Sequence, residues 1–284
     1  MTLVLGTRGS ALALVQSRLI AAALGPDVAL RVISTAGDMT ASPLSELGDG
    51  VFVTAIEEAL RRGEIDLAVH SLKDLPTAER GDLCIAAIPL RADPRDVLIT
   101  ATRGGLGSLR QGAVVGTSSP RRDAFLRALR PDITTRPIRG NVDTRLRKVL
   151  SGEYDATILA AAGLERLGIA FGPNEALDLA DCPPAPGQGA LAVQCRSADT
   201  SLRARLAPLD DAATRAAVTT ERALLAALGA SCLLALGAYA RGDGDGVILD
   251  AALDEGGIRR AHAEGTDPHS VADEAATALG GARV

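Results

Sequence analysis

Short apolar runs, each ending in a polar turn that opens a helix, recur along this chain and point to an α/β fold. Leu3 to Gly6 runs into GTRGS and a helix pattern from about Ser10 to Leu24. Ala113 to Gly116 runs into TSSPRR and a helix reaching Arg130, with Pro120 in its first turn. Ile133 to Ile138 leads through RGNVDTR to a helix over Thr144 to Leu150, and Asp155 to Ala160 leads to a short helix over Ala161 to Leu167. Parallel strands buried on both faces read as apolar runs of this kind. In open α/β sheets ligands bind at the carboxyl ends of the strands. Those ends here carry Arg8, then Arg121 and Arg122, then Arg139 and Arg145, then Arg166, so one shared anion-binding cleft is the economical expectation.

The most loaded turn follows the run Ile65 to Val69, where IDLAVHSLKDLP places His70, Ser71, Lys73 and Asp74 within five residues. An acid, a base and a hydroxyl at a strand's carboxyl end suggest chemistry. Spacing alone equally allows a polar turn in which Asp74 or Ser71 caps the next segment.

The net charge of −5 directs the whole molecule away from polyanions, yet Arg121 to Lys148 holds nine basic residues against Asp123, Asp132 and Asp143. The planar fork of arginine suits bidentate binding of carboxylate or phosphate. Aromatic residues make up only 2% of the chain, too few for stacking on bases, and the arginines sit at separate strand ends, so nucleic acid is not the expected partner. No apolar run reaches the roughly 18 residues needed to span a bilayer, and no basic segment precedes an apolar one at the N-terminus, so a cytoplasmic protein without a membrane partner is expected. Cys84, Cys182, Cys195 and Cys232 are far apart with no C-x-x-C pair and read as free thiols; with three scattered histidines, no metal site is expected.

With 284 residues, two or three domains are expected. Ser10 reads as the N-cap of the first helix, whose buried stripe is expected to be Leu12, Val15, Leu19 and Ala23. Val28 to Ile33 reads as a strand ending in STAGD, Ala41 to Gly50 as mobile surface, and Phe52 to Arg62 as a helix with Phe52, Ile56, Ala59 and Leu60 inward. A boundary falls near Pro89 to Pro94, and closely spaced strands after the helix Asp211 to Leu228 suggest an antiparallel C-terminal unit.

GTRGSALALVQ, STAGD, GVFV, AVHSLKDLP, GTSSPRR, IRGNVDTRL, GEYDATILAAAGLERLG, PGQGALAVQCR and a late cysteine after ERALL, all in this order, resemble the porphobilinogen deaminase (hydroxymethylbilane synthase) family over nearly the whole chain. The resemblance implies an α/β protein with two periplasmic-binding-protein-like lobes of mainly parallel sheets plus a small C-terminal α/β domain. Residues 1–90 with 189–208 would form lobe one, 91–188 lobe two, and 211–284 the small domain. It implies head-to-tail condensation of four porphobilinogen molecules with loss of ammonia, by a monomer carrying a dipyrromethane cofactor in thioether linkage to Cys232. Asp74, Lys73 and Arg8 match the reacting centre. Cofactor contacts fall on Arg121, Arg122, Arg139, Arg145, Ser71, Thr117, Ser119 and Gly140, and substrate contacts on Arg8, Ser10, Arg166 and Gln16; Asp38 is a weaker match. Pyrroles bearing acetate and propionate make a growing polycarboxylate, which accounts for the arginines. A carboxylate near the ring nitrogen stabilises the cation left when ammonia departs. The chain departs from the family at Glu46 and Asp49, where lysines are common, at the cysteine loop reading Ala230, Ser231, Cys232, Leu233, and at Asp143. The rival reading is a non-catalytic two-lobed protein that binds an organic anion.

Overall fold

The structure, a computed structural model, describes residues 2–35, 53–78, 81–229 and 234–280. Asp38, Glu46, Asp49, Phe52, Cys232 and the expected mobile surface at 41–50 lie outside the described residues. In chain order, β1 (Leu3–Thr7) leads to α1 (Ala11–Leu24), β2 (Val28–Val32), α2 (Thr54–Arg61), β3 (Leu67–Ser71) and β4 (Leu83–Ala87). Then come β5 (Asp96–Thr100), β6 (Val114–Gly116), α3 (Pro120–Leu129), β7 (Thr134–Arg136), α4 (Val142–Leu150), β8 (Ala156–Ala160) and α5 (Ala161–Arg166). The last stretch holds β9 (Leu191–Arg196), α6 (Thr200–Leu206), α7 (Ala212–Ala227), β10 (Leu236–Asp243), β11 (Gly246–Asp254), β12 (Ile258–Gly265) and α8 (Pro268–Ala278). These elements group into two compact units, 1–91 with 190–215 and 92–189 with 216–284.

The first unit is built on a five-stranded sheet in the order β2-β1-β3-β9-β4. β1 pairs in parallel with β2 and β3, whereas β9 runs antiparallel between β3 and β4. Leu5, Leu67, Val69, Leu191 and Val193 form its core with Ile20 of α1. The Ser10 side chain accepts from the Ala13 N–H and caps α1 as expected. The expected stripe on α1 is corrected: Gln16, Ser17 and Ile20 are buried, Ala23 is exposed, and Leu19 is 51% exposed. The phase is set by Gln16, whose Nε2 donates to Ser71 Oγ (3.0 Å) at the end of β3, so a polar residue takes the inner face. On α2, Ile56, Ala59 and Leu60 are buried as expected.

The second unit contains a four-stranded sheet in the order β5-β8-β6-β7, with β6 parallel to β7 and β8 and β5 antiparallel to β8. Phe125 and Leu126 of α3 pack on Leu98, Val115 and Ile158. Its last stretch is a three-stranded antiparallel sheet, β10-β11-β12, with α8 against it and an aliphatic core including Leu236, Leu249, Leu253 and Val271. Ala252 of β11 also joins the core around Phe125. No helix among the described residues is long and apolar enough to cross a membrane.

Gly189 is fixed by backbone geometry. Its φ of +90° belongs to the region glycine tolerates, and a Cβ there would lie 2.5 Å from the Ala92 carbonyl oxygen. Gly189→Ala is therefore expected to cost about 1–3 kcal/mol, seen as a lower urea midpoint; an unchanged midpoint would contradict this account of Gly189.

Candidate functional site

Two groups of polar residues sit at strand ends, one in each unit. In the first unit β1 and β3 are parallel neighbours, with Leu5 opposite Leu67, so the turns after both strands leave the same edge of the sheet. The first turn brings Arg8 and the Ser10 cap; the second is a single 3-10 turn, Leu72–Asp74, carrying Lys73 and Asp74. Gln16 and Ser71 are joined by their hydrogen bond, which fixes the start of that turn. Arg8, Lys73 and Asp74 are all half-buried. Among the described residues, no hydrogen bond or ion pair engages the Asp74 carboxylate, which leaves it available to a ligand.

His70, which the sequence groups with this turn, belongs instead to β3 and is buried. Its Nε2 lies 3.1 Å from Gln194 Oε1, and Gln194 Nε2 donates to Glu57 Oε1 (3.2 Å). Burial pushes the imidazole down to about 4; the Gln194 hydrogen bond opposes this shift and the charge of Arg8 adds to it. A neutral His70 is thus a structural member of the strand that delivers the turn.

In the second unit β6, β7 and β8 end at one edge because they are parallel. The turn after β6 supplies Thr117 and Ser119: Thr117 Oγ1 accepts from the Ser119 N–H (3.2 Å), and Ser119 Oγ caps α3 at the Arg122 N–H (3.4 Å). The turn after β7 supplies Arg139 and Gly140, whose φ is +111° and whose carbonyl accepts from Arg145 Nε (2.8 Å). α5 follows β8 and carries Arg166, which donates to the Gly189 carbonyl (2.7 Å).

β5 enters this edge with its amino end because it is antiparallel to β8, and Asp96 is its first residue. Asp96 is fully buried, with Oδ2 2.7 Å from Arg121 and Oδ1 2.7 Å from Arg122. Arg122 also donates to the Ile158 carbonyl (3.1 Å), Arg121 to the Pro183 carbonyl (2.7 Å), and Gln188 Nε2 to Asp96 Oδ1 (2.9 Å). The two guanidiniums, despite the desolvation that penalises any buried charge, hold the Asp96 carboxyl far below the usual carboxylate range. Arg121 and Arg122 are therefore gathered around Asp96 and buried, 3% and 8% exposed, where an open anion site was expected. Asp96 and Gln188 were missed by sequence reasoning. The available signal was one acid heading the apolar run VLIT, shortly before a stretch rich in arginine.

One carboxylate against two guanidiniums leaves this cluster positive, and Arg139 and Arg145 stand close by. Burial, then the like charges of Arg122 and Arg139, push the Arg145 guanidinium down to about 10. Burial also lowers Arg166. Arg121 Nε is buried and makes no hydrogen bond among the described residues. Like charges packed this closely repel one another, and a negatively charged group bound beside them would relieve that repulsion.

The pH dependence of stability tests the His70 assignment. Its folded pKa lies below the ordinary value near 6.5, so its contribution is complete above that pH and is lost as pH falls toward 4. A shift of this size corresponds to about 3 kcal/mol. Urea titrations from pH 7 to 4.5 should show less loss for His70→Gln than for the parent; equal loss would remove His70 as the cause.

The model of the family described as porphobilinogen deaminase, dipyromethane cofactor binding domain, matches residues 3–204. A porphobilinogen deaminase of Acidothermus cellulolyticus is 55% identical over 258 residues, 88% of this chain and 78% of that protein. One from Roseiflexus sp. is 51% identical over 87% of this chain and 84% of its own length, and one from Mycobacterium avium 50% identical over 92% and 88%. Among solved structures, the second substrate binding domain of a putative amino acid ABC transporter from Streptococcus pneumoniae aligns with a TM-score of 0.46 at 12% identity, over 73% of this chain and 91% of that one. The matched domain and these relatives together establish that the chain belongs to the porphobilinogen deaminase family.

Proposed function

We propose that the Asp74 turn and the arginine groups described above carry the family's reaction in this chain. Porphobilinogen deaminases are transferases of tetrapyrrole and haem biosynthesis that condense four porphobilinogen molecules head to tail into hydroxymethylbilane, releasing ammonia. The observation that carries the residue assignment is Arg145, a half-buried cation lowered first by burial and then by two like-charged neighbours. Such a cation gains most from a bound polycarboxylate.

In this reading Arg139 and Arg145, with Gly140 shaping their turn, hold cofactor carboxylates. Arg121 and Arg122 supply positive field from their place around Asp96, while Thr117 and Ser119 order the start of α3. Cys232 would hold a dipyrromethane in thioether linkage, and that group would supply the pyrrole onto which the chain is extended. Arg8, Ser10 and Arg166 orient incoming porphobilinogen through its carboxylates. Gln16 acts through Ser71, whose hydroxyl it anchors. Lys73 stands beside Asp74 and donates to the substrate. The Asp74 carboxylate, unclaimed by any described cation, stabilises positive charge on the pyrrole as ammonia leaves. We also read the three-part division of the chain, with a small domain over 211–284, as the family arrangement. The protein is further read as a cytoplasmic monomer.

Asp74→Asn should lower kcat by about 10²–10³-fold while the dipyrromethane stays attached; near-parental turnover would remove Asp74 from the chemistry. Intact mass provides a second test. The parent should carry two pyrrole units and Cys232→Ala none, and an unmodified parent after incubation with porphobilinogen would overturn the attachment site.

A further inference from the structure

A second group of reactive side chains lies at the other edge of the first unit's sheet. Cys84 on the edge strand β4 is directly opposite Cys195 on β9, and their sulfurs are 3.9 Å apart. Residues directly opposite in antiparallel strands have Cα atoms about 4.5–5.5 Å apart, inside the range a disulfide spans. The two thiols differ in access. Cys195 is fully buried, whereas Cys84 is half-buried and lines a cavity of about 510 Å³ with Thr200, Arg203 and Arg215. Arg215 is held by Asp210 at 2.7 Å. Arg203 is exposed, donates to the Ser197 carbonyl, and has no carboxylate within ion-pair distance among the described residues, so the cavity mouth is positive.

We propose that Cys84 and Cys195 form a modification site at which a small carboxylate-bearing disulfide is exchanged for an intramolecular Cys84–Cys195 bond. The Cys84 thiolate attacks one sulfur of the small disulfide, forming a mixed disulfide and expelling a thiolate that takes up a proton. Cys195 then gives up its proton and attacks Cys84 Sγ, breaking the mixed bond and releasing the second small thiol. The protein thiols lose two electrons and two protons, and the small disulfide gains them. Burial, with Cys84 beside it, pushes the Cys195 thiol up to about 12, so the outer thiol reacts first and the inner one follows because it is already in place. The cavity volume is in the range of small-molecule sites, and Arg203 selects for negative charge.

The test treats the full-length protein with oxidised glutathione or with cystamine, an anionic and a cationic disulfide, followed by non-reducing peptide mapping. The expected result is a Cys84–Cys195 linked peptide, a protein lighter by two hydrogens, and formation several-fold faster with oxidised glutathione. Arg203→Glu should reverse that preference, and Cys195→Ser should stop at a mixed disulfide on Cys84. Absence of the linked peptide, or a Cys84 adduct that persists equally in the parent, would overturn the pair; equal rates with both reagents would overturn the anion selectivity. Cys84→Ser, a mild change on a half-exposed strand, should leave Cys195 unreacted and keeps the test decisive if Cys195→Ser does not fold.

Discussion

The buried carboxylate of Asp96 holds the second unit's functional edge together. Removing a carboxylate and two guanidiniums from water costs several kcal/mol per ion, and only close geometry with further hydrogen bonds offsets that cost. Here each carboxylate oxygen meets a guanidinium at 2.7 Å, and the carbonyls of Ile158 and Pro183 take other donors. The arrangement ties the start of β5 to the first turn of α3, the middle of β8 and the segment after Cys182. Taking away Asp96 alone would leave two buried cations facing each other.

That cluster also sets the charge felt by its neighbours. Asp96 is shared by two arginines, and Arg145 meets Arg122 and Arg139 as like charges. A polycarboxylate bound beside these arginines would stabilise the folded unit, because a ligand held only by the native state adds to its stability. Asp74 belongs to a different balance. Its strand, β3, is insulated by apolar neighbours and a neutral His70, while its carboxylate stands on a one-turn helix open to a cationic partner.

Much of this was legible in the sequence, since apolar runs, caps and turns are local signals. Ser10 as a cap, Pro120 in the first turn of α3, and inward Ile56, Ala59 and Leu60 follow from spacing alone. The phase of α1 was not legible, because the Gln16–Ser71 bond joins residues 55 positions apart and overrides the apolar pattern. Nor was the antiparallel course of β5 and β9, since an apolar run carries no direction. The placement of Arg121 and Arg122 depended on that missing direction: only an antiparallel β5 delivers Asp96 to them.

The position of β9 has a consequence for the order in which the chain can be completed. Within the first unit's sheet, β3 and β4 are not neighbours; β9 fills the space between them. As the chain leaves the ribosome, residues 1–91 must wait with two unfilled backbone ladders until residues 92–189 have followed. Exposed ladders of this kind are the surfaces through which nascent chains associate wrongly. A truncated product ending before Leu191 would carry the entire Asp74 turn and still lack the strand that seats it.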